Sequence, residues 1–174
     1  YIVRPSYYSI YYLSANLCVM DNLMQMRNYF DSGITKPYAF RKEQLIKLQQ
    51  AVKKYEQPLH EALFVDLKKS PEECWVTETG FLLSELSNIL KHLKGWMQPE
   101  SVSTNLLNLP SKSFILQEPL GVVLIISPWN YPFQLLMTPL AGAMAAGNCV
   151  ILKSSEFAPA TSAVPPWPRC CCAP

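Results

Sequence analysis

The sequence predicts an α/β fold in which an N-terminal helical segment leads into the first strands of a parallel sheet. Three observations carry this. Apolar residues recur at three-and-four spacing in two long segments between Arg41 and Met97. Short, β-rich apolar runs replace them from Phe114 onwards. From Val122 to Leu152 a strand, a small-residue helix and a second strand follow in the order of a βαβ unit. The bulk properties agree: 174 residues, 49% apolar and 16% charged, hold enough material for one core and exclude a disordered or collagen-like chain. Fifteen Lys and Arg against 13 acidic residues leave a formal charge of +2, too small and dispersed for a phosphate-backbone binder, so no nucleic acid partner is expected. The longest apolar run, Val122 to Ile126, is broken by Pro128 and Pro132 well before the roughly 18 residues of a membrane span.

The elements follow in chain order. Residues 1–19, with Tyr7, Tyr8, Tyr11 and Tyr12, fit neither a signal nor a transit peptide and are expected to be a non-native or disordered leader, the native start lying near Met20. Leu45, Leu48, Val52, Tyr55, Leu59, Ala62 and Leu63 mark one face of a helix over Arg41 to Leu67, which Pro58 should kink or break by removing a donor and crowding the preceding turn. Ser70, Pro71 and Glu73 form a capping-box start. The helix that follows carries Trp75, Leu82, Leu83, Leu86, Ile89, Leu90, Leu93 and Met97 on one broad face and should stop around Met97, near Gly95 and Pro99. Glu72, Glu73, Glu78 and Glu85 are assigned to its solvated side. Phe114 to Leu116 and Gly121 to Ile126 read as strands, the second apolar throughout, as for a strand covered on both faces. A helix from about Phe133 to Ala146, ended by Gly147, leads to a strand over Cys149 to Leu152. Residues 164–174, with Pro165, Pro166, Trp167, Pro168 and the run Cys170 to Cys172, read as an aberrant Pro/Cys-rich tail left by a frame change or early stop. Six cysteines in these positions form no disulfide framework, which points to a reducing, cytoplasmic compartment.

Most catalytic templates fail on this sequence. There is no G-x-G-x-x-G, and Gly142 to Gly147 continues with Asn148 and Cys149 where a P-loop needs Lys and Ser or Thr. His60 and His92 have no partner at ligand spacing, so no metal is expected. What remains is Ser127 to Phe133, directly after the carboxyl end of a buried strand, the edge where open α/β sheets bind ligands. There Asn130 is either a neutral amide donor to a developing oxyanion, held by a turn that Pro128 and Pro132 stiffen, or a turn and cap residue. Spacing alone favours the second. The next strand ends at Lys153 and Glu156, where a carboxylate can accept from ribose hydroxyls and repel a 2′-phosphate while the lysine donates to the same sugar. Taken alone these read more readily as a solvated loop, but two such positions on adjacent strand ends strengthen the case for a dinucleotide lying across them.

With those residues in view, Gln117 to Phe133, Pro139 to Asn148 and Val150 to Glu156 closely resemble the NAD(P)-dependent aldehyde dehydrogenases. Phe30-Asp31-Ser32-Gly33, the helix from Arg41, Asp66 to Ser70 and Lys91-His92-Leu93 resemble the class 3-like branch, which acts on fatty and aromatic aldehydes. The resemblance covers about Met20 to Ala163. It implies that residues 20–163 are the N-terminal part of a Rossmann-like cofactor domain with a helical arm, incomplete as it stands. It implies that Asn130 helps form the oxyanion hole for the thiohemiacetal and thioester steps. Ile126, Ser127, Pro128 and Trp129 would line the nicotinamide side of the cofactor site, and Lys153 and Glu156 would contact the adenosine ribose, Glu156 favouring NAD over NADP. Ser154 stands where the family has proline, which loosens that loop. The implied activity is oxidation of medium-chain, long-chain or aromatic aldehydes to carboxylic acids with NAD or NADP, in a cytoplasmic, homodimeric parent enzyme. The family's cysteine nucleophile and its water-activating glutamate match no residue here, and Cys149 falls on a buried strand. The chain is therefore expected to be an N-terminal fragment without turnover. The alternative is a non-catalytic interaction module that joins a full-length relative through the sheet edge after Leu152.

Overall fold

A computed structural model describes residues 23–164. The leader at 1–19 and all of the tail beyond Val164 lie outside the described residues. Helix α1 occupies residues 23–31, α2 Tyr38–Lys54 and α3 Glu56–Leu67. The break that Pro58 predicts is present, but it sits at Tyr55 (φ −104°, ψ 13°). A continuous helix would press the proline ring on the carbonyl of residue 54, so α2 ends at Lys54 and Pro58 falls in the first turn of α3, where no donor is needed. Arg41, Leu45 and Val52 of α2 and Leu59, Ala62 and Leu63 of α3 face the core, as their spacing indicates.

Ser70 caps the short helix α4 (Pro71–Cys74), its Oγ accepting from Glu73 N at 3.2 Å. A π-helical turn over Trp75–Thr79 then precedes α5 (Gly80–Trp96). The wide turn shifts the helical phase of the residues before it, and two expectations are corrected. Trp75 is 55% exposed instead of lying on the apolar face, and Glu78, assigned to the solvated side, is completely buried. Gly80 closes the turn because a Cβ there would lie 2.6 Å from the Trp75 carbonyl oxygen. Leu82, Leu86, Ile89 and Leu93 of α5 are buried, and the helix stops at Trp96 with Met97 as its C-cap.

Strand β1 (Glu100–Val102) pairs antiparallel with β2 (Ser113–Ile115), in register from Glu100 opposite Ile115 to Val102 opposite Ser113. Sequence reading finds β2 but not β1, whose three residues are exposed and lack an apolar pattern. Strand β3 (Val122–Ile126) pairs in parallel with β4 (Cys149–Lys153), from Val122 opposite Cys149 to Ile126 opposite Lys153. Helix α6 (Gln134–Ala146) makes the crossover, completing the βαβ unit, and α7 (Pro159–Ala163) follows. Val123, Ile125 and Leu152 pack on the core that α2, α3, α5 and α6 enclose. The other face of β3 departs from expectation: Leu124 and Ile126 are 58% and 65% exposed, because no described element covers that side. Asp66, near the end of α3, anchors α7 by accepting from Ala160 N, Thr161 N and Thr161 Oγ1 at 3.1, 2.7 and 2.7 Å. No helix among the described residues is long and apolar enough to cross a membrane.

Candidate functional site

The parallel register sets Ile126 beside Lys153, so the loops leaving β3 and β4 emerge side by side at the carboxyl edge of the sheet. Ser127 prolongs the pairing by one residue, its N–H donating to the Lys153 carbonyl at 3.0 Å. Its buried Oγ lies 2.9 Å from Pro132 O and 3.0 Å from Pro128 O, so one hydroxyl proton closes the base of the loop between the two prolines. Pro128, Trp129 and Asn130 are exposed along the loop, and Ile126 stands exposed at its root.

Asn130 does not cap the next helix. The residue preceding α6 is Phe133, and it offers no side-chain cap. The first N–H of α6, on Gln134, donates instead to Glu78 Oε2 at 2.8 Å. Among the described residues the Asn130 side-chain amide has no hydrogen-bond partner, while its backbone carbonyl accepts from Lys69 Nζ at 3.1 Å. Lys69 also pairs with Glu78 Oε1 at 2.5 Å, and its Nζ lies 4.0 Å from the centroid of the Tyr131 ring. Both partners are buried, Lys69 at 7% exposure and Glu78 at 0%.

On the second loop, Lys153 Nζ lies 2.7 Å from Glu156 Oε2, with both side chains exposed. Its hydrogen bond to Lys153, followed by one to its own backbone, holds the Glu156 carboxyl below its ordinary range. The loop is tied down: Phe157 N donates to Ser155 Oγ at 3.3 Å, and Ser162 Oγ lies 3.3 Å from Ser155 O. A groove of ≈ 530 Å³ runs between the two strand ends, bounded by Leu124, Phe133, Met137, Ile151, Lys153 and Thr161. A larger one, ≈ 780 Å³, lies beside Arg41, Trp96 and Glu118 on the amino-terminal side of β3, away from these loops.

The structure thus sets all seven residues singled out from the sequence at the carboxyl ends of β3 and β4 and on the two loops that leave them, with the Asn130 amide and the Lys153–Glu156 pair facing outwards. Sequence reasoning missed Lys69 and Glu78. A signal for Glu78 was available, since it stands four residues before Leu82 and eight before Leu86, on the buried face of α5. Lys69, 61 residues before Asn130, gave none.

The described cysteines are poorly suited to nucleophilic work. Cys74 and Cys149 are both buried. Burial first, and then the charge of Glu78, push the Cys74 thiol up to about 11. Cys74 is therefore expected to resist iodoacetamide in the folded chain at mildly alkaline pH and to react once urea unfolds it, as peptide mass spectrometry would read. Labelling of Cys74 at equal rates in both states would contradict its placement.

A family model described as aldehyde dehydrogenase family matches residues 18–164. The chain is 49% identical over 131 residues to the 4,4'-diaponeurosporen-aldehyde dehydrogenase of Staphylococcus aureus, covering 75% of this chain and 28% of that one. It is 46% identical over 144 residues to aldehyde dehydrogenase family 3 member B1 of Bos taurus, covering 83% and 31%. The structure is similar to the substrate-bound state of Staphylococcus aureus AldH, with a TM-score of 0.82 and 44% identity over 84% of this chain and 32% of that chain. A succinic semialdehyde dehydrogenase from Streptococcus pyogenes, solved with NADP+, shares the fold at a TM-score of 0.71 and 19% identity, over 82% of this chain and 30% of that one. The chain accordingly spans 28% and 31% of the length of the two curated relatives described.

Proposed function

The chain belongs to the aldehyde dehydrogenase family, and from that premise we propose that it carries the cofactor-facing and oxyanion-facing part of an enzyme oxidising medium-chain, long-chain or aromatic aldehydes to carboxylic acids. The observation that supports this reading best is the pair of loops at the carboxyl ends of β3 and β4. The donor set fits an NAD or NADP cofactor: a carboxylate and an ammonium 2.7 Å apart match the vicinal hydroxyls of a ribose, and exposed Ile126 and Trp129 offer apolar surface to a planar ring. When bound, the cofactor supplies the hydride acceptor for aldehyde oxidation.

The chain's own residues do the rest. Lys153 and Glu156 hold the adenosine ribose, and Ser127 keeps the loop closed so that Ile126, Pro128 and Trp129 present one edge to the nicotinamide side. The Asn130 amide, unpaired with any described residue, donates to the aldehyde oxygen as negative charge develops on it. A neutral amide suits this task because it cannot itself be acylated. Neither described cysteine, Cys74 or Cys149, is assigned a part, and the described residues are assigned cofactor binding without turnover.

Calorimetric titration with NADH tests this reading. Saturable binding is expected, weakened about tenfold or more in Lys153→Met/Glu156→Gln, since hydrogen bonds to charged groups are worth about 1.5–3 kcal/mol each. No saturable binding by the unaltered chain, or sustained NADH formation from an aldehyde with host enzyme excluded, would overturn it. A second reading, a non-catalytic module that associates with a full-length relative, is favoured by the open face of β3 at Leu124 and Ile126. Sedimentation with and without such a relative separates the two, and an unchanged monomer counts against association.

A further inference from the structure

We propose that the buried Lys69–Glu78 ion pair is a positioning device for the Asn130 loop, fixing the peptide from which the amide projects; this rests on the oxyanion reading of Asn130. Ion pairs are poor glue for a protein interior. Taking both charges out of water carries a large desolvation cost for each ion, and well-packed apolar residues of similar volume hold helices together as well or better. A pair retained at 7% and 0% exposure therefore calls for a use beyond packing.

Its contacts show where that use lies. Only one oxygen of Glu78 goes to Lys69; the other takes the N–H of Gln134, the residue at which the loop becomes α6. The ammonium of Lys69 spends a second proton on the Asn130 carbonyl at 3.1 Å and faces the Tyr131 ring at 4.0 Å. One pair, supplied by the chain before α4 and by the π-helical turn, thus grips positions 130, 131 and 134. Ser127 secures only the base of the same loop, through Pro128 and Pro132.

The local sequence is organised to deliver this grip. Glu78 stands four and eight residues before Leu82 and Leu86, on the face that they bury, and Gly80 admits the close approach of the Trp75 carbonyl that the π-helical turn requires. An oxyanion donor is effective to the extent that it is held in place before charge develops, and the contacts at the base of the loop do not reach Asn130 itself. Lys69 and Glu78 are positioning residues, acting on the reaction only through the backbone of Asn130.

Amide hydrogen exchange on the full chain tests the assignment, using Lys69→Met/Glu78→Gln. Both charges are removed together, so no unpaired ion is buried, and Gln134 N–H exchanges its carboxylate acceptor for a weaker, neutral one. Exchange at Gln134 and at Leu135, whose N–H donates to Tyr131 O at 3.0 Å, is expected to rise about tenfold or more. Exchange at Cys149, whose N–H donates to Gly121 O at 2.9 Å, should stay within about twofold of the unaltered chain. Asn130→Ala, which keeps the backbone carbonyl, should leave Gln134 and Leu135 unaffected. Unchanged exchange at Gln134 and Leu135, or an equal rise at all three amides, would overturn the proposal, the latter by reducing the pair to a general stability element. Should the double variant not fold, Glu78→Asp keeps the charge but shortens its reach, and the same local rise without a rise at Cys149 is required of it. NADH titration of the unaltered chain reports separately on the cofactor reading, so a failure there leaves the exchange result to decide the ion pair on its own.

Discussion

Glu78→Ala is expected to lower the free energy of unfolding by about 3–5 kcal/mol, read as a drop in the urea midpoint with the slope unchanged. The substitution removes few apolar contacts; its cost comes from what it leaves behind. Lys69 would remain 93% buried by the measure of its 7% exposure, with no counter-charge, and the first N–H of α6 would lose its acceptor. Against a typical domain stability of about 5–15 kcal/mol, a loss of that size brings the chain close to unfolding. Lys69→Met/Glu78→Gln should recover most of it, ending within about 1–2 kcal/mol of the unaltered protein, because the desolvation cost of both ions disappears with their attraction. The non-additivity is the diagnostic quantity. A loss below about 1 kcal/mol for Glu78→Ala alone would place the pair in the class of solvated surface bridges and contradict its burial.

Much of this fold is legible in the residues, and the parts that are not share a cause. Leu45 to Leu63 and Leu82 to Leu93 keep regular helical spacing because each helix buries a single stripe, and Pro58 announces a break because its ring forbids the preceding turn. The βαβ unit is equally plain, since β3 and β4 are apolar runs on either side of a small-residue helix closed by Gly147. The two candidate loops follow from it, for the carboxyl ends of parallel strands are where such sheets expose their loops. Trp75 is misassigned by pattern because a π-helical turn breaks the 3.6-residue period that the assignment assumes, and Glu78 because its charge outweighs a spacing that sets it in line with Leu82 and Leu86. β1 escapes notice because its pairing with β2 is made by backbone groups, on which Glu100 and Ser101 leave no pattern. Lys69 is invisible for a different reason: its meaning depends on a contact with Asn130 that only the folded chain creates.

Glycine substitution offers the second large effect, and two sites that look alike in backbone terms should respond differently. Gly33 and Gly147 both adopt left-handed conformations, φ 78° and φ 89°, so alanine at either pays the steric cost of that region, roughly 1–2 kcal/mol. At Gly33 nothing lies within 4 Å of an added Cβ, and that cost should be the whole effect. At Gly147 the new methyl would stand 2.8 Å from Arg41 Cζ, Nε and Nη2. The end of an arginine can usually swing aside, but this one is anchored: Nε donates to Thr35 O at 3.2 Å and Nη1 to Ala145 O at 3.1 Å, the latter in the last turn of α6, where a cation is favoured. Moving it breaks hydrogen bonds made by a buried charge, which adds about 1.5–3 kcal/mol. Gly147→Ala is therefore expected to cost roughly 3 kcal/mol or more and Gly33→Ala roughly 1–2, by urea unfolding followed by circular dichroism. Arg41→Met separates the two contributions. In that background Gly147→Ala should cost only about as much as Gly33→Ala, and an unchanged cost there would show that the guanidinium is not what the methyl group meets.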